Sequence, residues 1–356
     1  MTAPTESLTP PNRLSRATLW AIGGVALCAL IWGTTWYAIT LQLGQVAPLA
    51  SLVWRFGLAA ILLFAGCLVT RRSLRLTLTQ HLAAAGQGVF AFSISYSFTY
   101  AAEERIASAI VAVIFASLAL LNLILFRIAA RQRAAWLSWG GAALGVVGVA
   151  VLSGSEILGA GLDDASATGV GFAFLAVVAS AFGNYFAWRG QNAGSAVIPS
   201  TAWAMAYGTG LLALYGLATG VEWSIEPTFT YIGSLLYLSV FGSVIAFAVY
   251  FSVARARGYA LASYISALTP PIAMLVSVMF ENARFGWPAL VGLALVLAGQ
   301  VLLIRAPKVS AASPNQPRFF FFGVSGASPV VLPAASASRR LRSAVTRMAT
   351  SIGIRP

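Results

Sequence analysis

Along this chain apolar residues gather in runs of about twenty, and the short connections between the runs hold most of the arginines and acids. An α-helix needs roughly 20 apolar residues to cross a hydrocarbon core about 30 Å thick. Ten runs approach or reach that length: 18–40, 47–69, 82–101, 106–127, 135–153, 169–188, 200–219, 230–253, 260–280 and 286–304. The pattern predicts an all-α membrane protein with ten transmembrane helices. Met1–Arg16 is polar and proline-containing. The run after it is longer than a signal-peptide core and lacks a convincing cleavage site, so a retained first helix is expected.

Charge then supplies an orientation. With the N-terminus inside, Arg13, Arg16, Arg71, Arg72, Arg75, Arg127, Arg131, Arg133, Arg189, Arg255, Arg257, Arg305 and Lys308 all fall on one side. The opposite side receives Glu103, Glu104, Glu156, Asp163, Asp164, Glu222, Glu226 and Glu281, with Arg105 and Arg284 as its basic residues. Basic residues concentrate in cytoplasmic loops, so both termini are expected in the cytoplasm. The net charge of +13 is thereby explained by topology, and no nucleic-acid partner is expected.

The chain also repeats itself. At an offset of 151 residues Pro48 matches Pro199, Gly57 matches Gly208, Trp136 matches Trp287, Gly141 matches Gly292 and Gly148 matches Gly299. These pairs relate the second helix to the seventh and the fifth to the tenth. A duplicated unit of five helices is an odd number, so its second copy must be inverted in the bilayer, a common construction of secondary transporters. The expected organisation is a cytoplasmic segment 1–17, a first repeat 18–153, an external loop 154–168, a second repeat 169–304 and a tail 305–356. The tail is rich in proline, serine and arginine and is expected to be disordered. Leu341, Val345, Met348 and Ile352 are at helical spacing within it, which would suit an interfacial helix.

Composition removes several function classes. Hydrophobic residues make up 59% of the chain and charged residues 9%, against roughly 25% charged in a soluble domain. Cys28 and Cys67 lie inside apolar runs and His81 is the single histidine, so neither disulfides nor a metal organise the fold. No cofactor is expected. The sequence has no H-E-x-x-H or G-x-S-x-G motif, no paired intramembrane aspartates and no phosphate-binding G-x-x-x-x-G-K-[ST] loop. An intramembrane enzyme is therefore disfavoured, and so is transport driven by an ATPase within the chain.

Ile31-Trp32-Gly33-Thr34-Thr35-Trp36-Tyr37 resembles the W-G-[TS]-[TS]-F/W signature of the drug/metabolite transporter superfamily, EamA type. Further resemblances follow in order: Arg55-Phe56 in the second helix, Tyr100 through Ser108 as Y-x-x-E-x-x-I-x-S, and Glu281 through Gly299 in the last two helices. The likeness covers about residues 18–304. Ala119 stands where the family has a proline in helix four, while helix nine carries Pro270 and Pro271. The resemblance implies a five-plus-five inverted topology, a central cavity and export of amino acids or related small metabolites across the inner membrane. The near-absence of lysine and the abundant alanine and glycine fit a GC-rich bacterial gene. A channel-like facilitator is the alternative.

The expected partners are a small-molecule substrate and the lipid bilayer. Candidate cavity residues are Trp32, Thr34, Thr35, Trp36, Arg55, Tyr96, Tyr100, Asn184, Tyr185 and Ser263. Arg55 is the most informative, since a central arginine costs roughly 2.5–3.5 kcal/mol even on a lenient insertion scale and must face a cavity or a partner. It would bind a substrate carboxylate, or hold the fold through a carbonyl or an acid such as Glu103. Glu103 would couple transport to protons or merely cap the fourth helix. Aromatic and hydroxyl side chains would serve a ligand or bond between helices. The glycines of helices five and ten are expected to permit close helix packing, and His81 to sit solvated at the interface.

Overall fold

The computed structural model describes residues 16–159, 164–257 and 259–306. The tail with its expected interfacial helix, the first fifteen residues and Asp163 lie outside them. The described residues form ten helical rods: α1 (Arg16–Thr40), α2 (Pro48–Val69), α3 (78–103), α4 (Ser108–Ala129), α5 (Trp136–Gly159), α6 (Asp164–Asn192), α7 (Val197–Thr219), α8 (229–257), α9 (Tyr259–Phe280) and α10 (Trp287–Arg305). Six are long and apolar enough to cross a membrane: α2, α4, α6, α7 and most of α1 and α8. Shorter apolar stretches occupy α5, α9 and α10. Helix α3 is not among these, because Gln87, Ser93, Ser95, Ser97 and Thr99 dilute its hydropathy.

The exterior carries large apolar side chains. Leu68, Ile128 and Leu214 are exposed, and Trp136 and Phe229 are 87% and 95% exposed. In water such a surface would aggregate; lipid is its compatible solvent. Inside, helices approach through small residues, as expected where hydrophobic burial does not drive helix association. The tightest pair is α5 with α10. A Cβ on Gly148 would stand 2.5 Å from the Gly292 carbonyl oxygen, and one on Gly292 would stand 2.7 Å from that of Gly148. The expected packing role of these glycines is thus seen in the contacts.

The helix contacts come in related pairs. Helix α1 packs on α8 and α9, and α6 packs on α3 and α4; α2 packs on α7 and α8, and α7 on α2 and α3. Exchanging each helix for the one five places along leaves this pattern unchanged.

Two interior helices depart from α geometry at matching places. In α3 a π-helical stretch, Gly88–Ser95, lies between Leu78–Gln87 and Tyr96–Glu103, and in α8 Leu238–Ile245 lies between Phe229–Tyr237 and Ala246–Arg257. Each stretch holds a serine that donates back five residues, Ser93 to the Gly88 carbonyl (3.3 Å) and Ser243 to the Leu238 carbonyl (2.8 Å). Wider π turns expose backbone carbonyls to side chains, which is why such segments gather at functional sites.

Candidate substrate cavity

Helices α1, α2, α3, α4, α6, α8 and α9 line a central cavity of about 110 Å³. One enclosed water needs ~10–15 Å³ on a comparable measure, so this space has room for a small organic molecule. Its apolar wall includes Trp32, Trp36, Phe115, Phe247, Tyr250 and Phe251. Its polar side chains are Thr35, Arg55, Tyr96, Thr99, Ser180, Asn184 and Thr269.

Arg55 is held on several sides. It is 1% exposed; its Nε donates to Ser243 Oγ at 3.2 Å and its Nη1 to the Tyr100 hydroxyl at 3.5 Å. The guanidinium carbon lies 4.7 Å from the centroid of the Tyr96 ring and 5.0 Å from that of Phe56, within cation–π range. The Tyr100 hydroxyl in turn donates to Gln42 Oε1 at 2.7 Å. Among the described residues, Arg55 has no carboxylate in ion-pair contact; the ion pair that forms is Arg105 with Glu104. A guanidinium offers five N–H donors; Ser243 and Tyr100 take two, and the Tyr96 hydroxyl is also within hydrogen-bonding reach. The site therefore fixes the cation and leaves donors for a guest. An ion pair with Glu103, one of the alternatives for Arg55, is not formed among the described residues.

The remaining candidates separate into groups. Trp32, Thr35, Trp36, Tyr96 and Asn184 line the cavity beside Arg55. The Trp32 indole N–H is used by the Gly242 carbonyl in the π stretch of α8, at 3.1 Å. Trp36 Nε1 is buried and has no partner among the described residues. Asn184 Nδ2 reaches Asn122 Oδ1 at 3.4 Å. Thr34 is not in the lining; its hydroxyl meets the Ile31 carbonyl at 2.8 Å and the Tyr237 hydroxyl at 2.6 Å. Tyr100 stands behind the wall as a support for Arg55. Tyr185 stacks on Trp188 and meets Phe126 edge-on, in an aromatic cluster apart from the lining. The Ser263 side chain lies outside what the structure describes.

Glu103 is 7% exposed, and both carboxyl oxygens lack a hydrogen-bond partner among the described residues. It lies within electrostatic reach of Arg55 and Glu281. Glu281 accepts from Ser108 Oγ at 2.9 Å and also from Ser277 Oγ. His81 is half-buried, with Nδ1 bonded to the Tyr207 hydroxyl at 2.9 Å and its ring edge-on to Trp203. It is more enclosed than a solvated interface histidine.

Several participants were not foreseen: Ser243, Gln42, Phe115, Ser180, Phe247, Tyr250, Phe251 and Thr269. A signal for two of them exists in the repeat. Ser243 and Tyr250 lie 150 residues after Ser93 and Tyr100, whereas the helix caps Thr77 and Thr228 are 151 apart. The change of one residue between α3 and α8 hid the equivalence.

Comparison with known proteins places this architecture. The uncharacterized inner membrane transporter YedA of Escherichia coli strain K12 is 27% identical over 312 residues, covering 83% of this chain and 96% of YedA. The protein of the same description from strain O157:H7 matches equally. A crystal structure that is 19% identical superposes with a TM-score of 0.62, covering 83% of this chain and 100% of the other; that likeness shows the fold. The family model of the EamA-like transporter family matches residues 19–154 and 167–305. The chain belongs to the EamA-like transporter family.

Proposed function

We propose that this transporter is a secondary carrier of the bacterial inner membrane that exports small carboxylate-bearing metabolites, amino acids or their relatives, by alternating access. It crosses the bilayer ten times as two oppositely oriented repeats, 18–153 and 169–304, with the loop 154–168 outside and both termini in the cytoplasm. The observation that carries the substrate reading is Arg55, a buried guanidinium on the cavity wall with no acidic partner among the described residues. Carboxylate is the group that best completes such a fork, through two parallel charge-assisted hydrogen bonds. The topology is supported by the sidedness of the charges and by helix contacts that survive exchange of the two halves. The membrane assignment is supported by the similarity to YedA, an inner membrane transporter.

Glu103 is the coupling group in this reading. An ionised carboxylate buried without partners is costly, so a group so placed is suited to take up and release a proton as the surrounding helices move. The transport cycle then needs no cofactor.

The deciding experiment is counterflow in liposomes preloaded with an unlabelled carboxylated metabolite. A carrier takes up labelled substrate transiently above its external concentration. Simple equilibration, with no overshoot at any preload, would identify a channel and reject alternating access.

A further inference from the structure

The cavity wall is one-sided in its charge. The chain has nine acidic residues, and none lies among the lining side chains. This holds even for α9, parts of whose side-chain set are not described, because Tyr259–Phe280 contains no aspartate or glutamate. Helices α1, α2, α4 and α8 contain none either, and α6 has none beyond Asp164 at its start. Glu103, at the end of α3, is outside the lining. Arg55 is thus the charge that faces a guest.

The unspent hydrogen-bonding capacity has a matching shape. Arg55 and the unpartnered Trp36 Nε1 are donors and nothing else, so they call for an acceptor-rich group. The threonines are different. Thr35 donates to the Trp32 carbonyl at 2.9 Å, Thr99 to that of Ser95 at 2.9 Å and Thr269 to that of Ile265 at 2.7 Å. With their protons committed, these hydroxyls keep acceptor lone pairs, which suit a neutral N–H or O–H. An ammonium would find those lone pairs and aromatic faces, but it would be a second cation in a cavity whose lining charge, Arg55, is already positive.

We infer that the cavity selects a monocarboxylate whose other polar groups are neutral, such as an N-acylated amino acid or a hydroxy acid, over the free amino-acid zwitterion. This rests on the carboxylate-binding reading of Arg55 and narrows it. The carboxylate neutralises the guanidinium, the neutral donor meets a threonine oxygen, and the apolar body lies against the aromatic wall.

The test is binding to the full-length purified protein, by calorimetry at neutral pH, with four ligands that share one side chain. These are N-acetyl-leucine, leucine, N-acetyl-leucinamide and leucinamide, which are respectively an anion, a zwitterion, neutral and a cation. The anion should bind tightest, the zwitterion at least about tenfold more weakly, and the cation weakest, because an unpaired charge in an enclosed site is expensive. A second measurement places a carboxylate on the wall. Ser180→Asp should bring leucine level with N-acetyl-leucine or ahead of it. If that variant does not fold, the four-ligand order in the native protein decides alone.

The failures are distinguishable. Equal binding of N-acetyl-leucine and N-acetyl-leucinamide rejects the carboxylate reading itself. N-acetyl-leucine above its amide, with leucine equal to or tighter than N-acetyl-leucine, overturns the selection against ammonium and leaves the carboxylate reading standing. No saturable binding by any of the four rejects both.

Discussion

The two halves of this transporter share a scaffold and differ in chemistry. Pro48 and Gly57 of α2 recur as Pro199 and Gly208 in α7, yet the position of Arg55 is taken in α7 by Ala206. The serines of the two π stretches diverge in the same way. Ser243 accepts from Arg55, whereas Ser93 donates at 2.9 Å to the Gly208 carbonyl across the α3–α7 contact. A duplicated fold can thus keep its packing geometry while one copy alone places a charge on the cavity wall. The cavity consequently carries its lining charge on one helix despite its paired helices, and a guest with one charged end has a single preferred orientation.

The largest expected effect breaks this asymmetry at its source. Arg55→Met leaves two neutral alleles of the same position, a methionine in α2 and Ala206 in α7. Truncating one member of a buried charge pair typically costs 2–5 kcal/mol, so the half-saturation concentration for a carboxylated substrate should rise about 100-fold. Arg55→Lys should fall between the native protein and Arg55→Met, since lysine keeps the charge without the planar fork. Concentration-dependent uptake with matched amounts of folded protein measures both. A variant that folds normally and retains native affinity removes Arg55 from the binding site.

The scaffold side of the comparison is tested at α5 and α10. Gly148→Leu must push a side chain into the Gly292 carbonyl and Val296. Overpacking of this kind costs roughly 1–3 kcal/mol, so melting in detergent should come earlier and folded yield should drop. Gly140→Ala, with nothing within 4 Å of the added carbon, should be neutral or slightly stabilising. Equal behaviour of the two variants would show that α5 and α10 do not need their close approach.

A smaller effect, on driving force rather than affinity, is expected at Glu103. Glu103→Gln removes the ability to carry a proton while keeping the shape. Uptake driven by an imposed pH gradient should fall to the level seen without one, and substrate exchange at equal pH should persist. Unaltered gradient-driven accumulation would return Glu103 to a structural role.

How far the sequence could be read depends on which signals survive local detail. Apolar runs and the 151-residue offset are summed over many residues, so they foretold helices and related contacts well. The close packing of α5 on α10 was legible because glycines recurring at matching places in two helices, Gly141 with Gly292 and Gly148 with Gly299, have few other uses. Arg55 stood out because a charge in an apolar run is costly. The hydroxyls and phenylalanines of α8 gave no such signal; Phe247 and Phe251 look in sequence like any lipid-facing residues. Tyr185 and Thr34 stand apart from the cavity lining for the opposite reason. Their chemistry suits a ligand, but helix rotation turns Tyr185 toward Trp188 and Thr34 toward Tyr237. The one-residue change between α3 and α8 also shifts side chains by about 100° around a helix. An offset read from other helices therefore missed the match of Ser243 with Ser93.

That match supplies the smallest and sharpest test. The two serines are equivalent in backbone setting, each bonding back five residues within a π stretch, but only Ser243 touches Arg55. Ser243→Ala removes the acceptor for Arg55 Nε, and a hydrogen bond to a charged group is worth about 1.5–3 kcal/mol, so if only the lower end of that is felt at the site, affinity for a carboxylated substrate should weaken roughly tenfold. Ser93→Ala removes a neutral interhelical bond, worth about 0.6 kcal/mol on average in membrane proteins, and should lower the melting temperature slightly with affinity unchanged. Measured side by side, a fall in affinity confined to Ser243→Ala means that the π stretch of α8 serves the binding charge while that of α3 serves packing. Equal loss of affinity in both variants would mean that the two stretches act together on the cavity, and the division of labour between the halves would have to be abandoned.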